Sequence, residues 1–381
     1  MTNNAHSAED LAQMQSLPLE AKIRMTKERI KAWYESWTRF EIYNEATGKT
    51  RFTTIDTREF GAEPPMKENE YIVSAIDGQV YVAFSGGKDR TVLKHIVDGM
   101  YDDVPSLFVN TGLEYPEIQK FAMSQKNVVT VRPEMRFDEV VKRYGYPVIS
   151  KAVAHNVSIA RNSPNGSVAK NIIFNPSRQG MFNHYKYNFL CDAPFFVGDQ
   201  CCNVMKKKPA KKYAKETGRK ALLGTMAHES NLRYAQWLKH GCNAFEISNP
   251  SSAPLSFWTE QDILHYIKKY DVPYCSVYGD IVIDLQDDAL DNQINIIDYL
   301  GDYEPTDKLK TTGCNRTGCI FCMFGCHLEK EPNRFQRLKE THPRQYEYCI
   351  GGGEMVDGKW QPNKQGLGLG YVLDYIGVKY D

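Results

Sequence analysis

The chain has 381 residues, 42% of them hydrophobic and 25% charged, with 47 basic and 47 acidic side chains and therefore no net charge. This length accommodates about two domains, and the composition excludes a disordered or fibrous chain. Zero net charge leaves no global field to gather a polyanion, no run of about 18 apolar residues is present to span a membrane, and the start, MTNNAHSAED, has neither region of a secretory signal, so a cytoplasmic protein without membrane contact is expected.

Residues 1–15 are polar and are expected to fray. From Leu19 onward, Leu19, Ile23, Ile30, Trp33 and Trp37 fall on one stripe, which predicts an amphipathic helix docked on the main domain or on a second copy of the chain. Residues 38–70 hold short polar segments with Thr and Pro and no clear period. The α/β pattern starts near Tyr71. Val80–Phe84 reads as a buried parallel strand, Ser85-Gly86-Gly87 as a tight turn, and Val92, Leu93, Ile96 and Val97 as the buried face of a helix over 89–99. A strand, a glycine turn and a helix N-terminus aim several N–H groups at one point, which makes an anion site. Lys88 adds a positive charge on what is expected to be an exposed rim, and Asp89 is placed to hold Mg²⁺ against phosphates.

The alternation continues with a strand over 107–110, a turn Asn110–Pro116, a helix over 116–125 and a strand over 128–132. Such alternation predicts a parallel sheet with helices on both faces and ligands at the carboxyl ends of its strands. Ser85–Asp89 and Asn110–Glu114 then share a rim. Residues 136–149 read as a helix ending at Gly145-Tyr146-Pro147. Lys151, Arg161, Lys170, Arg178 and Lys186 follow, as either a basic face suited to phosphates or a solvated surface; Lys151, Arg161 and Arg178 are the expected substrate contacts. Leu222–Thr225 reads as another strand, and Thr259 as the cap of a helix whose dipole Asp262 complements. Residues 276–312 are acidic and irregular, and 365–371 form a Gly/Leu loop before a short terminal helix. The expected domains are an N-terminal helical extension (1–70), an α/β domain (71–275) and a Cys-rich segment (276–381).

Ten cysteines in a chain of this class are not expected to form disulfides. Cys201 and Cys202 are adjacent, and Cys314, Cys319, Cys322 and Cys326 fall within thirteen residues, a clustering that points to metal. Cys319-x-x-Cys322 grips a metal twice from one turn. Its partners come either from Cys201 and Cys202 or from the local set with Cys314 and Cys326, whose first three members have plant-type [2Fe–2S] spacing. Zinc is chemically reasonable on the same thiols. Cys191, Cys242, Cys275 and Cys349 read as core or surface thiols.

Ser85-Gly86-Gly87-Lys88-Asp89 resembles the pyrophosphate loop of the adenine nucleotide α-hydrolase superfamily, whose members cleave ATP between the α- and β-phosphates. Asn110-Thr111-Gly112-Leu113-Glu114, Pro254–Ile263 and Cys201-Cys202-Asn-Val-Met-Lys206-Lys-Lys-Pro209 resemble segments of the phosphoadenosine-phosphosulfate reductase-like branch. In its adenylyl-sulfate reductases, a Cys-Cys pair and a distant Cys-x-x-Cys pair hold a [4Fe-4S] cluster. The resemblance covers residues 71–330 and implies a Rossmann-like nucleotide α-hydrolase core with a C-terminal Cys-rich metal-binding segment. It implies cluster ligands Cys201, Cys202, Cys319 and Cys322, with Lys206–Lys208 offsetting the cluster charge. It also implies nucleotide contacts at Ser85, Gly86, Gly87, Lys88, Asp89, Thr111, Gly112, Glu114, Gly224 and Arg233, with Lys88 and Asp89 catalytic. Two positions depart from the pattern: Arg90 stands where many members have Ser, with Thr91 next, and Met226 stands where relatives have an arginine, a loss that Arg233 is placed to offset. The intact loop, and the lack of a C-terminal Glu-Cys-Gly-x-His motif, favour an ATP pyrophosphatase that adenylates an acceptor for sulfur transfer, in character nearest to the DNA phosphorothioation sulfurtransferases. A sulfonucleotide reductase is the alternative, and a non-catalytic nucleotide-binding partner module is a third reading. The implied cofactors are a [4Fe-4S] cluster, ATP and Mg²⁺. The implied partners are a sulfur donor (a cysteine desulfurase or sulfide) and a nucleic-acid acceptor, and a homodimer is left open.

Overall fold

The computed structural model describes residues 6–59, 61–162, 165–175, 184–284 and 307–381. The chain divides into two compact units, each discontinuous in sequence. The first comprises 1–109, 115–131 and 210–317; the second comprises 110–114, 132–209 and 318–381. Arg178, one of the expected substrate contacts, lies outside the described residues, as does 285–306 of the acidic stretch.

The first unit opens with α1 (Ala8–Gln15), which starts on a reciprocal cap between Ser7 and Asp10. The predicted amphipathic helix follows as α2 (Leu19–Glu35), with Ile23, Ile30 and Trp33 buried on one stripe. Residues 38–70, which carry no legible period, build an antiparallel sheet from β1 (Trp37–Asn44), β2 (Lys49–Asp56) and β3 (Glu70–Ile76), with β1 central. The N-terminal region is thus helix and sheet, and Tyr71 belongs to this sheet rather than to the parallel core. Where β1 pairs with β3, Glu41 faces Ser74 and Ile42 faces Ile72, so Val73 is an extra residue that interrupts the two-residue alternation of β3.

The parallel core begins at β4 (Val80–Phe84), followed by α3 (Lys88–Asp98), β5 (Ser106–Val109), α4 (Pro116–Ser124) and β6 (Val128–Val131). The chain then enters the second unit through α5 (Phe137–Tyr144), which Gly145 ends with φ +90°, α6 (Lys151–Asn162) and α7 (Gly166–Ile173). It returns along α8 (Lys208–Thr217) to β7 (Lys220–Leu223), α9 (Asn231–His240), β8 (Asn243–Ala244), β9 (Ser251–Ser252) and α10 (Glu260–Lys269). The six strands are ordered β6-β5-β4-β7-β9-β8, all neighbours parallel except β8 against β9. This is the mostly parallel, Rossmann-like sheet that the alternation predicts. β10 (Ile281–Ile283) and β11 (Leu309–Thr311) pair as an antiparallel ribbon.

The second unit adds α11 (Arg334–Thr341), α12 (Pro343–Ile350), the ribbon β12 (Glu354–Val356) with β13 (Lys359–Gln361), and α13 (Leu369–Tyr375), the short terminal helix expected after the Gly/Leu loop. Tyr146 and Phe195 are packed edge to face at 5.8 Å in its interior, and the Tyr146 hydroxyl donates to the Leu367 carbonyl at 2.8 Å. Among the described residues no helix is long and apolar enough to cross a membrane.

In the first unit, polar bonds fix α2 on the core. Trp258 Nε1 donates to Thr26 Oγ1 at 2.9 Å, and Thr26 Oγ1 donates to the Pro254 carbonyl at 3.2 Å, all of it buried. Lys22 Nζ lies 2.7 Å from Asp262, the residue that also caps α10 with Thr259; the two side chains are 3% and 13% exposed. Truncating one partner strands the other charge away from water. Lys22→Ala is therefore expected to destabilise the protein by about 3 kcal/mol, measured by denaturant unfolding. Lys22→Ala/Asp262→Ala is expected to cost less than the sum of the two single changes.

Candidate nucleotide site and cysteine cavity

Strand β4 is buried along nearly its whole length and delivers the chain to Ser85 at its carboxyl end. Gly86 adopts φ +71°, and a Cβ there would lie 3.1 Å from both the Ile118 side chain and the Ile118 carbonyl. Both the left-handed backbone and the crowding by α4 require glycine. Gly87 then takes the N-cap position of α3 and offers no side-chain cap; of the first-turn N–H groups, that of Lys88 is met by the Tyr278 hydroxyl.

These residues open on a cavity of about 330 Å³ lined by Ser85, Gly87, Lys88, Asp89 and Arg90, with Gly224, Met226, Glu229 and Arg233 from the segment after β7, Glu260 at the head of α10, and Tyr278 and Asn315–Thr317. Of the nucleotide contacts implied by resemblance, Ser85, Gly87, Lys88, Asp89, Gly224 and Arg233 are brought together here. Thr111, Gly112 and Glu114 fall in the second unit. There the Thr111 hydroxyl and backbone N–H both donate to Glu114, at 2.7 and 3.0 Å, and Lys206 approaches Glu114 at 3.9 Å.

Lys88 is not on an exposed rim. Its side chain is 5% exposed, and Nζ donates to Glu260 Oε1 at 2.6 Å and to the Asn315 carbonyl at 2.5 Å. The physical reason is that α10 and the 315–317 segment supply acceptors that allow an ammonium to be buried. The Lys88 backbone N–H donates to the Tyr278 hydroxyl at 3.3 Å, which in turn lies 2.7 Å from Thr317 Oγ1. Arg90, at the departure from the family pattern, turns back to donate from Nη1 to Ser85 Oγ at 2.5 Å. Thr91 does not replace the missing hydroxyl, because its Oγ1 donates to the Gly87 carbonyl within the helix at 3.0 Å.

Asp89 stands apart from these paired groups. Its Oδ1 is buried with no hydrogen-bond partner. Burial raises its carboxyl above the ordinary range, against the opposing pull of Lys88, Arg90 and Arg316. An orphaned carboxylate oxygen beside an N–H cradle and a lysine is the donor set that a phosphate-bound divalent cation uses.

Sequence reasoning did not find Glu229, Glu260, Tyr278 or Asn315–Thr317. Asn315, Arg316 and Thr317 lie between Cys314 and Cys319, where the cysteine spacing is the stronger pattern. The Glu-Ser pair at 229–230 was a readable signal for Glu229.

In the second unit, Cys201, Cys202, Cys319 and Cys322 line one cavity with Leu113, Phe137, Pro147, Met205, Lys206 and Phe321. Cys201 and Cys202 sit at the start of a wide helical turn over Asn203–Lys207, their sulfurs 4.0 Å apart. The other pair sits on a turn closed by Cys322 N donating to the Cys319 carbonyl at 3.1 Å. Arg334, paired with Glu329, holds the Cys322 carbonyl at 2.8 Å. The hydrogen bond from Cys201 pulls the Cys202 thiol down to about 6, helped by Lys151 and Lys206, while its neighbour Cys201 is raised. Burial pushes Cys319 up to about 11.

Cys314 belongs to the first unit, where its N–H donates to the Val277 carbonyl, and Cys326 is 1% exposed; neither lines this cavity. Among the described residues no three His, Cys, Asp or Glu side chains converge on a single ion position. The four thiols instead surround a space with apolar walls and two lysines at hand, a donor set suited to a multi-iron sulfur cluster. Of the expected substrate contacts, Lys151 thus faces Cys202, and Arg161 spends its guanidinium on the Phe195 carbonyl at 2.6 Å.

A parallel sheet with a glycine-turn anion site at the carboxyl end of β4 defines a nucleotide-using α/β protein. The chain matches the phosphoadenosine phosphosulfate reductase domain family over residues 79–151 and 138–323, well over half its length, and it belongs to that family. It is also similar to a phosphoadenosine 5'-phosphosulfate reductase of Alkalilimnicola ehrlichii, at 22% identity over 233 residues, covering 60% of this chain and 77% of the relative.

The raised Asp89 carboxyl carries a pH signature. The folded state holds a proton that the unfolded chain releases near the ordinary value of about 3.9. Stability is therefore fullest below that value and declines as pH rises through the higher folded value. Asp89→Asn removes the ionisation and keeps the shape. Its stability is expected to exceed that of wild type by a margin that widens as pH rises, read by denaturant unfolding across a pH series. A margin independent of pH would show that Asp89 is not buried as a charge.

Proposed function

We propose that this protein is an ATP pyrophosphatase that adenylates an acceptor for sulfur transfer. The observation that carries the reading is the buried, unpartnered Asp89 Oδ1 at the head of α3, beside Lys88 and the glycine turn. Phosphates entering this cavity meet the N–H groups of the turn and the N-terminal dipole of α3. Lys88 exchanges Glu260 and Asn315 for the phosphate oxygens, so its charge sits where negative charge grows on the leaving group. The acceptor oxygen attacks the α-phosphorus, the bond from that phosphorus to the bridging oxygen breaks, and pyrophosphate departs. Asp89 would hold Mg²⁺, which neutralises phosphate charge. A [4Fe-4S] cluster held by Cys201, Cys202, Cys319 and Cys322 would supply the sulfur chemistry, with Lys151 and Lys206 offsetting its negative charge. A sulfur donor (a cysteine desulfurase or sulfide) and a nucleic-acid acceptor complete the proposed reaction.

The printed name of the Alkalilimnicola relative favours a second reading, reduction of a sulfonucleotide. Against it stands the burial of Cys349. Cys349 is fully buried and its thiol is pushed well above the ordinary range by that burial, so it is not presented as a nucleophile.

Two measurements test these assignments. With ATP, Mg²⁺, sulfide and nucleic acid, wild-type protein is expected to release AMP, displaced from the adenylated acceptor by sulfur, and pyrophosphate, rather than ADP and phosphate. Lys88→Ala is expected to lower that rate by about 10²–10³. Sulfite release from a sulfonucleotide, with no pyrophosphate from ATP, would establish the second reading instead. Protein purified without oxygen is expected to be brown, with about four irons per chain. Cys202→Ser or Cys319→Ser should abolish the colour, while Cys314→Ser and Cys326→Ser should retain it. Iron retained in Cys201→Ser/Cys202→Ser would move the ligands to the 314–326 set.

A further inference from the structure

Two arginines in the nucleotide cavity share one carboxylate. Glu229 is 8% exposed, and its Oε2 accepts the Met226 N–H at 2.8 Å, which ties the carboxylate to the backbone just beyond β7. Oε2 also accepts from Arg233 Nη1, one turn into α9, and Oε1 accepts from Arg316 Nη2 at 2.5 Å. Arg233 is half-buried, whereas the Arg316 side chain is 64% exposed, and both line the cavity that holds Ser85–Asp89.

The charges around the cavity do not balance evenly. Lys88 has Glu260 as its own counter-ion. Glu229 serves two guanidiniums at once. With Asp89 counted, the lining holds three carboxylates, Asp89, Glu229 and Glu260, against four cations, Lys88, Arg90, Arg233 and Arg316, which leaves one positive charge in excess. Burial, and then the like charges of Arg90 and Arg316, depress the Arg233 guanidinium. Planar guanidiniums held in place by a carboxylate, with a net positive charge facing a cavity, suit the oxygens of a phosphate group.

We propose that Arg233 and Arg316, held as a pair by Glu229, form a second anion subsite in this cavity, which takes a phosphate of an adenine nucleotide other than the one seated on Ser85–Asp89. This rests on the reading of the cavity as a nucleotide site. The shared chemistry is a second phosphate group, which arises either from the 5'-polyphosphate chain or from a phosphate on the ribose. Arg316 comes from the stretch between Cys314 and Cys319, so that stretch carries a binding role besides its thiols.

The test is equilibrium binding to the full-length protein of four probes: ATP, AMP, adenosine 3',5'-bisphosphate and inorganic pyrophosphate. Wild type is compared with Arg316→Ala, Arg233→Ala and Arg316→Lys. Losing one charge-assisted hydrogen bond is expected to weaken binding about tenfold or more. The expected result is that loss for ATP or for the bisphosphate in Arg316→Ala and Arg233→Ala, with AMP affinity unchanged. Loss with ATP places the polyphosphate chain on the pair, and loss with the bisphosphate alone places the ribose phosphate there. Arg316→Lys keeps a charge but not the fork, and is expected to recover only part of the loss; it also serves where the alanine variant does not fold. Equal weakening of AMP, or no weakening of any probe, overturns the subsite. If wild type binds pyrophosphate but no nucleotide, the nucleotide reading fails, and the subsite is judged on pyrophosphate alone, where no weakening in Arg316→Ala overturns it. If wild type binds neither pyrophosphate nor nucleotide, both readings fall.

Discussion

An ammonium group kept inside the protein governs the nucleotide cavity. Lys88 belongs to the first turn of α3, next to the glycine turn, and its burial is tolerable only because Glu260 and Asn315 meet it. Those two acceptors come from the head of α10 and from the stretch after β11, so one charge draws three regions of the first unit to the same point. The Tyr278 hydroxyl, between the Lys88 N–H and Thr317, completes the contact. A phosphate that takes over the lysine must displace these acceptors. The cavity therefore holds its own counter-ions until the ligand arrives, a pre-organised arrangement in which charge is exchanged rather than newly buried.

Asp89 has the opposite character. It is buried without a partner for one oxygen, which costs stability in the absence of ligand. Such uncompensated groups collect where a protein binds something. Lys88 satisfied and Asp89 unsatisfied, side by side at one helix start, distinguish this turn from an ordinary strand-to-helix connection.

The cysteine cavity in the second unit follows a different logic. Its four cysteines come as two pairs from segments more than a hundred residues apart in sequence, and apolar side chains line the same cavity. The wide turn over Asn203–Lys207 lets adjacent cysteines face the same space, and Arg334 pins the carbonyl of the other pair. The hydrogen bond from Cys201, and then the charges of Lys151 and Lys206, favour the ionised form of Cys202.

What the amino-acid sequence determined alone was local. The buried run Val80–Phe84, the glycines at 86 and 87 and the apolar period after them specify strand, turn and helix because each depends on neighbours within a few residues, and the expected helix over 89–99 appears at Lys88–Asp98. The alternation of such units dictates a mostly parallel sheet, and Thr259 with Asp262 announces the start of α10. The sheet over β1–β3 was not legible, because β2 is polar and largely exposed, and β3 leaves its apolar residues mostly exposed and carries an extra residue, Val73, where it pairs with β1. Nor was the division of the chain into two interleaved units, since nothing in a linear pattern says that a sheet will be left after β6 and rejoined at β7. Only the tertiary structure decided that Lys88 is buried against Glu260, 172 residues away, and that Arg316 and Arg233 share Glu229. The reason is physical: a charge's partner is chosen by proximity in space and by burial, and neither leaves a period or spacing in the sequence.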